Sequence, residues 1–157
     1  MNKETTNTVP IGTSTLLRRL LKATNLRSFL TENERSLTVP TFPSYLDALC
    51  RERNLVREHV ILRSGIERSF GHQLFRGARK PSRDNVLRLA FGFGLTVDET
   101  QTLLKLARKA PLYPKIPRDA AILYSLSQGE TIVEAQAALC DLYLSILGGE
   151  KYEHAER

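Results

Sequence analysis

The chain has no tryptophan, one methionine, two cysteines and three histidines, and the last two scarcities bear on disulfide and metal chemistry. Cys50 and Cys140 stand 90 positions apart, in "YLDALCRER" and "QAALCDLYL". Helix-type apolar neighbours predict two buried, reduced thiols, not a disulfide or part of a zinc site. His59, His72 and His154 follow no metal-ligand spacing, so no metal and no cofactor is expected. No apolar run approaches the roughly 20 residues that span a bilayer. The opening "MNKETTNTVPIGTS" lacks the apolar centre of a secretory signal and reads as a polar arm. The expectation is a cytoplasmic protein with no membrane partner. No Ser/His/Asp or Cys/His arrangement, carboxylate pair or glycine-rich phosphate loop stands in a catalytic motif, which argues against an enzyme. No stretch alternates with period two long enough for a strand, and no internal repeat or low-complexity tract is visible.

What remains is helix and positive charge. At 157 residues and 41% hydrophobic, the chain suffices for one compact domain with appended elements. "STLLRRLLKA" (14–23) sets Leu16, Leu17, Leu20 and Leu21 on one face. Pro40 and Pro43 interrupt "LTVPTFPS" and are expected to exclude helix there. Ser44 with Asp47 three residues on reads as an N-cap for "YLDALCRERN". "VREHVILRS" is closed by Gly65 and "ERSFGHQLFR" by Gly77. Ser82 caps "RDNVLRLAFGF", and Thr96 with Glu99 forms a capping box for "VDETQTLLKLARKA". "APLYPKIPRD" (110–119) reads as an extended connector. It is followed by "DAAILYSLSQ", a break at Gly129, the long run "TIVEAQAALCDLYLSIL", and a fraying "GGEKYEHAER".

The net charge of +6 is uneven. Residues 1–55 carry +3, residues 56–83 carry +5 and residues 84–157 carry −2. A cationic block of this kind is a phosphate-binding footprint, although an acidic protein or a membrane surface would meet it equally well. The block also contains a helix-turn-helix pattern. Val60 and Ile61 offer an apolar face across the Gly65 turn; Ile66, Phe70 and Leu74 share a face of the next helix; Arg68, Ser69, His72, Gln73 and Arg76 occupy the opposite arc.

Over 43–109, "VREHVILRSGIERSFGHQLFRGARKPSRDNVLRLAFGFGLTVDE" resembles the Xre/Cro-type helix-turn-helix family of phage repressors and bacterial regulators. The match rests on the motif glycine, "RG" closing the recognition helix, "KPS" before the fourth helix, and "GLTVDET". The tail "PLYPKIPRDAAILYSLSQGETIVEAQAALCDLYL" resembles an extension seen in one subgroup of these regulators. The resemblance implies an all-α, lambda-repressor-like five-helix domain with extra N- and C-terminal helices. Its boundaries would be 1–42 for the arm and short amphipathic helices, 43–109 for the DNA-binding domain, and 110–157 for the proline-rich connector and helical extension. It implies a bacterial transcriptional regulator whose recognition helix (67–76) enters the major groove of double-stranded DNA.

By matched position, the resemblance implies base reading by Arg68, Ser69 and Gln73, and by His72, the next outward side chain, placed to reach a base or phosphate. It implies phosphate contacts for Arg57, Arg76, Arg79, Lys80 and Arg83. Three positions depart from the family pattern. Ile61 stands where alanine lets the helices approach, Gly71 replaces a core Val or Ile, and Glu67 replaces Ser or Thr. Phe70 and Phe75 are expected to fill the volume at Gly71. Phe70, Leu74, Val86, Leu89, Phe91, Leu103 and Leu106 read as core. The blander alternatives are that isolated arginines are solvated charges and that Arg76 pairs with a carboxylate inside the domain. The leucine faces of 14–23 and 132–147 pack on this core, form a homodimer surface or dock a protein partner. The rival function is a protein-interaction module, an antitoxin or adaptor, with a degenerate helix-turn-helix.

Overall fold

Glycine and proline divide the helix-forming runs into nine α-helices, with no strand, among residues 12–148, the part that the computed structural model describes. The arm before residue 12 and nearly all of "GGEKYEHAER", His154 included, lie outside the described residues. The chain forms two compact units, Met1–Val39 and Pro40–Arg157. In the first, α1 (Thr13–Lys22) and α2 (Leu26–Glu32) surround little core: Phe29 and Asn33 are buried, while Leu17, Leu20 and Leu21 stay exposed.

The second unit holds α3 (Phe42–Arg53), α4 (Arg57–Ser64), α5 (Arg68–Arg76), α6 (Arg83–Phe93), α7 (Val97–Leu106), α8 (Pro117–Ser127) and α9 (Ile132–Asp141). Several starts differ from expectation. α3 begins at Phe42, capped by the Thr41 hydroxyl accepting from the Ser44 N–H, and Pro43 lies in its first turn. A proline is tolerated there because that N–H has no helical partner to lose. For the same reason Pro117 opens α8, so the connector ends before Pro117. α9 stops at Asp141 instead of continuing to 147; Tyr143 adopts φ 56° and Leu147 folds back into the core. Cys140 is exposed on that short helix, whereas Cys50 is buried as expected. Phe70 and Leu106 are half-buried at the core edge, and Leu74, Val86, Leu89, Phe91 and Leu103 are buried.

α6 is the central strut, and it crosses α4 so closely that a Cβ on Gly92 would stand 2.6 Å from the Val60 carbonyl oxygen. Arg88 reaches back from α6 to the Ser64 and Gly65 carbonyls, taking acceptors that the C-terminus of α4 would otherwise leave unsatisfied.

The second unit contains an internal repeat that the bare sequence does not make visible. Residues 82–113 and 117–148 are two copies of one helical hairpin, 35 positions apart. Gly94 and Gly129 close the first helix of each copy at φ 69° and 67°, Thr96/Glu99 and Thr131/Glu134 form matching capping boxes, and Arg108 and Tyr143 share a left-handed backbone. Gln101 clasps both backbone groups of Leu112 at 2.8–2.9 Å, as Gln136 clasps those of Leu147 at 2.7 Å.

The copies lock reciprocally. Arg83 donates to both Asp119 oxygens at 3.1 and 2.9 Å, and Arg118 donates to both Asp84 oxygens at 3.1 and 2.9 Å. Each aspartate also accepts the N–H that ends the opposite copy, Tyr113 on Asp119 and Gly148 on Asp84. These bidentate charged bonds make the C-terminal hairpin part of the same core as α3–α7.

Candidate nucleic-acid interface

The turn between α4 and α5 is three residues long. Gly65 ends α4 at φ 69°, a conformation with little steric penalty only for glycine; Ile66 turns inward and is buried; Glu67 caps α5. The Glu67 carboxylate accepts the Ser69 and Phe70 N–H groups at 2.9 and 2.8 Å. Those bonds, the Phe70 one foremost, hold its carboxyl below the usual range. The Glu67 anion is therefore engaged in starting α5.

The other two departures are one feature. Gly71 is buried against α4, and a Cβ built there would lie 2.5 Å from Ile61 Cγ2 and 2.8 Å from Cγ1. The large residue sits on α4 and the hollow on α5. Ile61, not Phe70 and Phe75, fills the space. With Leu74 and Phe75 also buried, α5 is seated on one side only.

Its other side carries the expected readers. Arg68 is 78% exposed at the side chain, Ser69 is exposed, and His72 and Gln73 are half-buried. Glu58, in the first turn of α4, was not singled out from sequence, yet it joins two of them. Its Oε1 lies 2.9 Å from Arg68 Nη2 and 2.9 Å from His72 Nε2. These bonds, Arg68 first and His72 next, lower the Glu58 carboxyl. The sequence signal was the spacing of Glu58 and Arg68 about the turn, legible only once the crossing of the two helices was known.

The expected phosphate contacts separate into two groups. Arg76, Arg79 and Lys80 are exposed, with Arg63 beside them in type, and none has an ion pair among the described residues. The Ala78 and Arg79 N–H groups donate to the Gln73 carbonyl, which ties the 77–80 loop to the end of α5. Arg57 is more confined: it pairs with Asp47 at 2.7 Å and lies 5.5 Å above the Phe75 ring, although 40% of its side chain stays exposed. Arg83 corrects the expectation. Its guanidinium makes four bonds inside the protein, to Asp119 and to the Ala110 and Pro111 carbonyls, so no free fork remains for a phosphate.

Among the described residues no group of three or more His, Cys, Asp or Glu could hold a metal, and no helix is long and apolar enough to cross a membrane. The fold and surface define an all-helical protein with a cationic helical face. No family model, no curated protein and no solved structure matches the chain.

Proposed function

We propose that the protein is a sequence-specific transcriptional regulator that binds double-stranded DNA through α5, with α3–α7 as a lambda-repressor-like helix-turn-helix domain of the Xre/Cro type. The observation that carries the reading is the one-sided seating of α5: the Ile61–Gly71 contact holds it against α4 while Arg68, Ser69, His72 and Gln73 face outward. Arginine donates twice to guanine O6 and N7, and glutamine pairs bidentately with adenine. Arg76, Arg79 and Lys80 follow directly and supply sequence-independent attraction to phosphates. The protein would act in the cytoplasm, without enzymatic activity and without a cofactor.

The test is selection of bound genomic fragments, followed by binding of the recovered site and a scrambled duplex. Arg68→Ala should lose about tenfold to a hundredfold on the recovered site and little on the scrambled one. Equal loss on both would sink the base-reading assignment.

A second reading is favoured by Glu58, which places a carboxylate beside Arg68 and His72 and would repel phosphate. In that reading the face binds a protein, as in an antitoxin or adaptor, and DNA retention is absent or independent of salt.

A further inference from the structure

A second cationic segment lies outside the helix-turn-helix pattern. Between Glu99 and Asp119 the chain contains Lys105, Arg108, Lys109, Lys115 and Arg118 and no acidic residue. Arg118 is engaged with Asp84, but the others have no ion pair among the described residues. Averaging over residues 84–157, which sum to −2, conceals this block.

The fold brings part of it against the first block. Arg108 and Lys109, at the end of α7, line the same groove of about 590 Å³ as Arg79 and Lys80, which follow α5. Phe42, Pro43 and Pro81 also line it, and no carboxylate does. Four cations in such a groove repel one another and are stabilised by an anionic occupant. A groove lined by cations and apolar side chains and by no carboxylate suits a sugar–phosphate backbone, whose phosphates would meet the cations. Continuity with Arg79 and Lys80 sets the direction.

We infer that this groove is a second phosphate track that carries the DNA backbone beyond the segment read by α5, with Arg108 and Lys109 as its contacts. The inference rests on the DNA-binding reading above and extends the footprint to flanking DNA.

The test is the salt dependence of binding by the full chain to a recovered duplex with long flanks, the same duplex trimmed to the base-read segment, and a scrambled long duplex. The variant is Arg108→Asn/Lys109→Gln. Asparagine is chosen because Arg108 sits at φ 57°, which asparagine tolerates well. Each phosphate contact contributes about 0.9 to the slope of log affinity against log salt. The variant should flatten the slope by about 2 on both long duplexes and leave the trimmed duplex little changed. Circular dichroism melting should match that of the parent. Arg51→Gln/Lys115→Gln, which removes the same charge outside the groove, should change the slope much less.

An unchanged slope in the Arg108/Lys109 variant overturns the track. So does an equal drop in the control pair, which would mean a diffuse field, or an equal drop on the trimmed duplex. Loss of all DNA retention by the parent chain overturns the DNA-binding reading and the track with it, a pattern distinct from normal retention with an unaltered slope.

Discussion

Gly71→Ala should destabilise this protein although it replaces a mid-helix glycine. In an open helix the change would gain about 1 kcal/mol. Here the new Cβ would stand 2.5, 2.8 and 3.0 Å from three Ile61 atoms, closer than atoms in a packed interior approach. Ile61 is 2% exposed and β-branched, so its helical side chain has essentially one rotamer and cannot swing away. Overpacking of this kind costs about 1–3 kcal/mol, which leaves a net loss of about 1 kcal/mol. The background decides the sign. Ile61→Ala alone should cost about 4 kcal/mol, because the cavity faces a glycine that offers no side chain to collapse into it. In that background the Gly71→Ala methyl meets open space, and the substitution should stabilise by about 1 kcal/mol. The coupling between the sites is therefore about 2 kcal/mol. Urea unfolding followed by far-ultraviolet circular dichroism, at constant m-value, measures all four corners of the cycle. If Gly71→Ala has the same sign and size in both backgrounds, the size exchange does not seat α5.

Three further outcomes follow from the core and the clamps. Gly92→Ala should cost about 2–3 kcal/mol in the same assay, because its methyl would face the Val60 carbonyl, which is backbone and cannot step aside; a neutral result would mean that α4 and α6 are not in such close contact. Burial would raise the Asp119 carboxyl, but the bonds from Arg83 and the Tyr113 N–H outweigh it and hold the group below its ordinary value. Its stabilisation is therefore present above the unfolded value of about 4 and is lost as pH falls through the lower folded value; Asp119→Asn should be less stable at pH 7 and show a shallower acid limb, and an acid limb identical to the parent's would refute the assignment. Cys140 should react with a thiol reagent in the native protein while Cys50 reacts only on unfolding, its thiol being raised by burial first and by Asp47 next; equal reactivity would contradict the packing of α3.

The sequence was most legible where one local cause suffices. The Thr96/Glu99 box, the Ser82 cap and the Gly65 and Gly77 stops depend on neighbours within a turn, and each stands at or within a residue of its expected place. It was least legible where a residue's partner is remote. Ile61 and Gly71 looked like two separate flaws because each was judged against its own helix; together they are one complementary contact. Arg83 looked like a phosphate ligand because its partner Asp119 lies 36 residues on, in a segment that read as linker. The repeat is hard to see for a related reason: its shared residues are mostly the caps, clasps and reciprocal clamps, while the apolar positions between them, Leu104 and Leu139 excepted, differ. Arg83 and Asp84 in one copy are satisfied by Asp119 and Arg118 in the other, so neither copy alone explains its own charged residues. The same pairing engages the guanidinium groups of Arg83 and Arg118 and leaves Arg79, Lys80, Arg108 and Lys109 as the cations around one groove. Total charge would have counted all six alike; only the clamps distinguish charge that builds the fold from charge that remains available to a partner.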